Sequence, residues 1–247
     1  MSKNFKLTIE YDGTNFHGWQ RQKNECTIQA EIETAITTMT GQTVTLIGSG
    51  RTDAGVHAVG QVANFHCDTE LSPEVFQKGL NSLVSADIII KRCEAVPETF
   101  HSRFDAKSKT YHYNILNREI PSAIGRQYVW FIRKKLDHDL IRAAIGKIIG
   151  RHDFKAFEGA GSPRSSTTRE VMKAELMEEE QGRCIFEVEA DGFLRFMVRN
   201  LVGTLVEVGH GNITSEDFHN ILLSKDRNLA GATAPAQGLF LMKVKYA

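Results

Sequence analysis

The four cysteines of this chain, Cys26, Cys67, Cys93 and Cys184, include no Cys-x-x-Cys pair. That removes zinc knuckles and dithiol redox chemistry, and leaves scattered, reduced, structural thiols as the expectation. Proline is scarce at five residues, and no stretch rich in Pro, Gly or Ser divides the chain. No apolar run reaches the length of a membrane span, and the amino terminus has no basic segment followed by an apolar one, so the cytosol is the expected location. An excess of charge is missing too: 30 basic residues balance 30 acidic ones. The summed field will not draw in a polyanion, and any polyanion-binding surface must come from local segregation of charge. The chain also has no His-Glu-x-x-His, no Cys/His cluster, no phosphate loop ending in Lys-Ser or Lys-Thr, and no Gly-x-Gly-x-x-Gly opening a helix. Its chemistry is expected to need neither metal nor cofactor.

What is present describes an ordinary globular protein. At 247 residues, with 41% hydrophobic and 24% charged, the chain can bury a sizeable core as one large domain or two intimately joined halves. Charge does segregate locally. The segment GAGSPRSSTTR, from Gly159 to Arg169, carries two arginines and no acid, whereas AELMEEE, from Ala174 to Glu180, carries four glutamates. The first suggests a basic flap or a solvated loop, the second an acidic strand or turn.

Periodicity sets the organisation. Phe5 to Tyr11 alternates apolar and polar residues and ends at Asp12-Gly13, the pattern of a half-buried strand closed by a turn. Thr27 to Ile36 repeats at helical spacing with Thr27 as cap. Strands are expected at Thr43 to Ile47, Gln61 to His66 and Ile88 to Ala95, around a helix at Ser72 to Leu83. From Lys109 the order of elements repeats, with a strand at Tyr111 to Leu116 and a helix at Asp137 to Ile149. A strand at Cys184 to Ala190, an apolar helix at Phe193 to Val208 and a strand at Leu239 to Lys245 complete the pattern. The fold class is α+β, with two related α/β halves, 1–105 and 106–247, sharing a sheet or a large interface.

The densest chemistry lies in Gly48-Ser-Gly-Arg-Thr-Asp-Ala-Gly-Val-His-Ala58. One carboxylate, Asp53, sits among small residues with Arg51 and His57 as polar neighbours, where the chain leaves a strand and must turn. Asp53 either braces that turn or faces a ligand. The helix at Phe193 to Val208 carries Arg199 and Asn200 on an otherwise apolar surface. A buried arginine calls for a carboxylate, since breaking a buried pair costs about 3–5 kcal/mol. Asp53 is the candidate partner, and the guanidinium would hold it ionised as nucleophile or base. Tyr111 and Tyr113 share one strand face, fit either for core packing or for stacking on a base. Phe16, Trp19 and Gln20 carry the same ambiguity. Arg103, Arg118, Arg126, Arg164, Arg169 and Arg195 are candidate phosphate contacts.

These blocks resemble the tRNA pseudouridine synthases of the TruA type, from Phe5 to Tyr246. The residues that carry the resemblance are Tyr11-Asp-Gly-Thr-x-Phe-x-Gly-Trp-Gln20, Gly50-Arg-Thr-Asp-Ala-Gly-Val-His57, Phe100-His-Ser-Arg-Phe104 with Tyr111 and Tyr113, Phe193-Leu-x-x-Met-Val-Arg-Asn200, and Ala234-Pro-Ala-x-Gly-Leu239. The resemblance implies the pseudouridine synthase fold, with a mixed, mostly antiparallel sheet and flanking helices. It implies an isomerase that uses no cofactor and no metal and turns uridine into pseudouridine in the anticodon stem-loop of tRNA, just 3′ of the anticodon. It also implies a homodimer, with the RNA lying across both subunits and no membrane partner. Asp53, Tyr111 and Arg199 take the catalytic roles, with Arg199 as the salt-bridge partner of Asp53. Arg51, Tyr111 and Leu239 bind the substrate base. Two departures from the family pattern fall at Lys109, where arginine is commoner, and at Leu194-Arg195-Phe196, where a Tyr or His pair before Met197 is commoner. Both touch expected RNA contacts and neither touches the reacting groups. The competing readings are an RNA-binding module without turnover and a metal-dependent hydrolase using Asp53 and His57.

Overall fold

The computed structural model describes residues 2–161 and 166–246. They fall into two compact units, Met1–Lys107 with Phe240–Ala247, and Ser108–Leu239. The division expected at 105/106 put the last strand in the second half, whereas its packing joins it to the first.

The first unit is built on β1 (Ser2–Tyr11), β2 (Ile47–Gly48), β3 (His57–Asp68), β4 (Ile88–Val96) and the closing strand β10 (Leu239–Lys245), with helices α1 (Ile28–Thr40) and α2 (Pro73–Leu83). Its strand order is β4-β1-β3-β10. The sheet is mixed, since β1 pairs antiparallel with both β3 and β4, while β10 runs parallel to β3. Alternation in β1 puts Phe5, Leu7 and Ile9 on the buried face. There Phe5 stacks on Phe65 at 5.4 Å and meets Phe76 of α2 at 4.7 Å. The helix α2 is capped as its sequence suggests, the Ser72 side chain accepting from Val75 N–H with Pro73 in the first turn. Thr27 does occupy the N-cap of α1, but its hydroxyl makes no capping bond.

The segment 43–46 is not the strand expected of it; only Ile47 and Gly48 pair, with Asn64 and Ala63 of β3. Side chains of α1 take the hydrogen bonds that a neighbouring strand would have supplied. Glu33 Oε1 accepts from Leu46 N–H at 2.8 Å, and Gln29 Nε2 donates to Leu46 O at 3.1 Å. β-Branched residues thus run extended without joining a ladder.

The second unit holds β5 (Ser108–Asn117), β6 (Trp130–Ile132), β7 (Gly150–Asp153), β8 (Thr168–Glu178) and β9 (Arg183–Ala190), with helices α3 (His138–Ile145), α4 (Met197–Gly209) and α5 (Ser215–Ser224). Strands run β5-β9-β8-β7 antiparallel, and β6 pairs parallel with β5. Helix α3 starts on Asp137, which accepts from the N–H groups of Asp139 and Leu140. The acidic run Ala174 to Glu180 is largely strand, in β8. Of the basic segment 159–169, residues 162–165 lie outside the described residues. Helix α5, not expected from apolar periodicity, carries its own signal in a Thr214/Asp217 capping box.

Glu33 is 4% exposed and also accepts from Gln29 and Arg21. Glu33→Ala would leave the Leu46 N–H buried without its acceptor, at a cost of about 1–3 kcal/mol. Denaturant unfolding should register that loss; an unchanged midpoint would contradict the account of 43–46.

Candidate active site

Asp53 lies in the loop that turns the chain from β2 back into β3, residues 49–56. The loop is fixed chiefly through its backbone. Ser49 N–H donates to Val62 O at 2.7 Å, Gln61 Nε2 to Gly50 O at 3.0 Å, Trp19 N–H to Thr52 O at 3.1 Å and Gly55 N–H to Phe16 O at 3.3 Å. Within the loop, Val56 N–H closes on Asp53 O at 3.2 Å. Tyr11 adds a side-chain bond, its hydroxyl 2.7 Å from Thr52 Oγ1. Burial pushes the Tyr11 phenol well above its ordinary value, so it stays protonated.

The block Tyr11 to Gln20 is the bed on which this loop rests. A Cβ on Gly13 would overlap Val56 O, and one on Gly18 would stand 2.5 Å from Thr52 O, at a backbone φ of +87 that side chains rarely adopt. Phe16 and Trp19, 5% and 2% exposed, are core residues rather than stacking surfaces. Trp19 packs on Gly48, where a Cβ would meet its indole nitrogen at 2.6 Å, and Gln20 Nε2 donates to Gln29 Oε1. His57 is buried, with Nδ1 3.0 Å from Asp12 Oδ1 and its ring stacked on Phe240 at 4.6 Å. These contacts make it a brace at the start of β3. Arg51 is exposed and Asp53 half-buried on the same loop.

In the second unit, Tyr111 and Tyr113 share the inner face of β5, opposite Val188 and Phe186. Tyr111, 7% exposed, meets Phe193 edge-on at 5.0 Å. Tyr113 is fully buried, donates to Pro235 O at 2.7 Å and packs against Gly238. That contact fixes the chain just before Leu239, which is itself 6% exposed. Burial raises the Tyr113 phenol, and the Arg199 charge works against that shift.

Arg199 is half-buried rather than buried. Its Nε donates to Ala234 O at 2.8 Å, and Cζ lies 5.0 Å from the Phe196 ring. Phe196 holds Arg195 over the same ring at 4.7 Å and occupies the left-handed region at φ 61. Helix α4 therefore begins at Met197, four residues later than the apolar pattern begins. Beside it, Asn200 is fully buried and ties three segments together. Its Nδ2 donates to Phe157 O at 2.8 Å, and its Oδ1 accepts from Thr233 Oγ1 at 2.6 Å and Arg227 Nη2 at 3.1 Å. Sequence reasoning missed Arg227, whose place in the charged run Lys225-Asp-Arg227 reads as a solvated turn.

Arg118 donates to Ile120 O in its own turn, and Arg195 to Ala160 O. Arg126 is exposed and Arg169 half-buried. Arg164 lies outside the described residues. The cysteines are all free, and burial pushes the Cys93 and Cys184 thiols up to about 12, which disarms them as nucleophiles. Among the described residues no group of three or more His, Cys, Asp or Glu is arranged to hold a metal ion.

A family model described as tRNA pseudouridine synthase matches residues 7–105 and 144–247. The chain belongs to this family. The synthase is 49% identical over 244 residues to a tRNA pseudouridine synthase A of Clostridium acetobutylicum, covering 99% of this chain and 100% of the relative. A protein of the same name from Acetivibrio thermocellus is 46% identical over the same shares. A tRNA pseudouridine synthase A 2 of Bacillus cereus is 44% identical, covering 98% and 99%. Among solved structures, a chain of a Cbf5-Nop10-Gar1 complex aligns with 96% of this synthase and 57% of its own length, at 15% identity and TM-score 0.39. That likeness is too distant to carry residue roles. Asp53, Arg51, Arg199 and Leu239 fall inside the matched stretches, and Tyr111 falls between them.

Gly18→Ala forces a Cβ onto the Thr52 carbonyl at a left-handed backbone position. It should destabilise the first unit by about 1–3 kcal/mol, as overpacking and αL strain do. A melting curve that matches the wild type would show that the loop is not held this way.

Proposed function

We propose that this synthase isomerises uridine to pseudouridine in the anticodon stem-loop of tRNA, just 3′ of the anticodon, with Asp53 as the catalytic carboxylate. The observation that carries the reading is the fixed, half-buried Asp53 in a loop whose neighbours are anchored through their backbones. The reaction breaks the bond from uracil N1 to C1′ and forms one from C5 to C1′; the C5 proton leaves and N1 ends protonated, so nothing is gained or lost overall. A stacked uridine is out of reach of such a loop, and extruding it costs a few kcal/mol. Tyr111 is proposed as the ring against the extruded base, returning about 1–3 kcal/mol of that cost. Leu239 is proposed as an apolar wall and Arg51 as the side chain that steadies the nucleotide.

Asp53 either attacks C1′ or removes a sugar proton to give a glycal, and both routes need it ionised. Arg199 is the proposed cation that keeps it so. Its carbonyl and aromatic contacts support that role by fixing where the charge stands. The synthase is further proposed to act in the cytosol as a homodimer with the RNA across both copies.

Asp53→Asn should abolish tritium release from tRNA labelled at uridine C5 while leaving tRNA affinity close to that of the wild type. Substantial release by this variant would defeat the assignment. For the proposed pair, a double-mutant cycle on kcat/KM with Asp53→Glu and Arg199→Lys should show a coupling of about 0.5–3 kcal/mol. Additive effects would remove the proposed pairing.

A further inference from the structure

We infer that the turn Phe100–Asp105 is a second RNA contact of the synthase, a platform on which Phe104 stacks an unpaired nucleobase; this rests on the functional reading above. Phe104 is 74% exposed. Its ring centroid lies 4.2 Å from that of His101, and Arg103 Cζ lies 5.6 Å from it. A single exposed apolar side chain is ordinary. An aromatic ring flanked by an imidazole and a guanidinium is a different object: it offers a π face, a cation and an N–H donor in one spot, the set that single-stranded nucleic acids use.

The turn beneath that ring is rigidly built. Asn4 Nδ2 donates to Phe100 O at 2.9 Å, Asn64 Oδ1 accepts from Ser102 N–H at 2.9 Å, and Tyr246 donates its hydroxyl to Ser102 O at 2.6 Å. Asn4, Asn64 and Ser102 are each at most 3% exposed. Across the turn, Asp105 Oδ2 accepts from His101 N–H at 2.9 Å, and His101 Nδ1 accepts from Arg103 N–H at 3.1 Å. His101 therefore carries its ring proton on Nε2. So much buried polar bonding under a tip whose largest side chain faces solvent means that the tip is pre-organised, which lowers the ordering cost of binding.

Position selects the ligand. The Ser102 hydroxyl donates to Ile47 O, and Ile47 opens β2, the strand that runs straight into the Asp53 loop. Both features belong to the same unit, so an RNA that offers a uridine to Asp53 is within reach of the turn. Arg103 can meet a phosphate while Phe104 takes the base face.

The test measures Kd of the full-length protein for an unmodified tRNA transcript, with Phe104→Ala and Phe104→Trp beside the wild type. Phe104→Ala should weaken binding about ten- to a hundredfold, the range that base–aromatic stacking gives. Its slope of log Kd against log salt should not change, because no phosphate contact is lost. Phe104→Trp should bind like the wild type, and its added indole emission should be quenched by tRNA. Wild-type affinity in Phe104→Ala, or an unquenched indole in Phe104→Trp, overturns this inference while tRNA modification by the wild type stands. A wild-type protein that neither binds nor modifies tRNA removes the functional reading and this inference together.

Discussion

Two backbone carbonyls stand where the β-carbons of residues 13 and 18 would be, and the geometry of Asp53 depends on that approach. With glycine at both positions the chain between β1 and α1 lies flat against the loop 49–56, close enough for Trp19 N–H and Phe16 O to bond it. A side chain at either position would lift the loop off its bed. The constraint also explains how the loop that carries a half-buried carboxylate can be held firmly. Clamping its own oxygens by burial would desolvate the charge, which is costly unless every lone pair is met. Fixing the peptide groups around the residue holds it in place without that cost.

The second unit uses the same device. A Cβ on Gly203 of α4 would overlap Ala232 O, so the segment 230–238 lies directly on the helix. Ala234 N–H donates to Arg199 O at 3.1 Å, Gly231 N–H to Thr204 Oγ1 at 2.9 Å, and Arg227 clips Ala230 O. Phe196 accepts the energetic cost of a left-handed backbone, about 1–2 kcal/mol, and in return its ring lies beside both arginines. Phe196 thereby gives this synthase an aromatic support beside Arg199.

Strands and helices with strong periodicity were legible in the sequence: β1, β4, β5, β9, β10 and α2 lie within a few residues of their expected bounds. Misses occurred where side chains replaced backbone partners. Thr43 to Leu46 has strand composition, but Gln29 and Glu33 of α1 take its hydrogen bonds. Phe193 to Phe196 continues the apolar run of α4, yet the left-handed Phe196 starts the helix later. At the site, the motifs pointed to Asp53 and Arg199, and the glycines of Tyr11 to Gln20 turned out to be the bed of the loop. The role of His57 could not be read from its neighbours in sequence, because its partner Asp12 arrives from the turn that follows β1. Phe104 was visible only as part of a motif, since exposure is a property of the fold.

The most direct test of the account maps pseudouridine, by carbodiimide labelling and primer extension, in unmodified tRNA transcripts incubated with the purified protein. The account predicts new pseudouridine at uridines immediately 3′ of the anticodon. Transcripts that gain none, or gain it only in another arm of the tRNA, would contradict it.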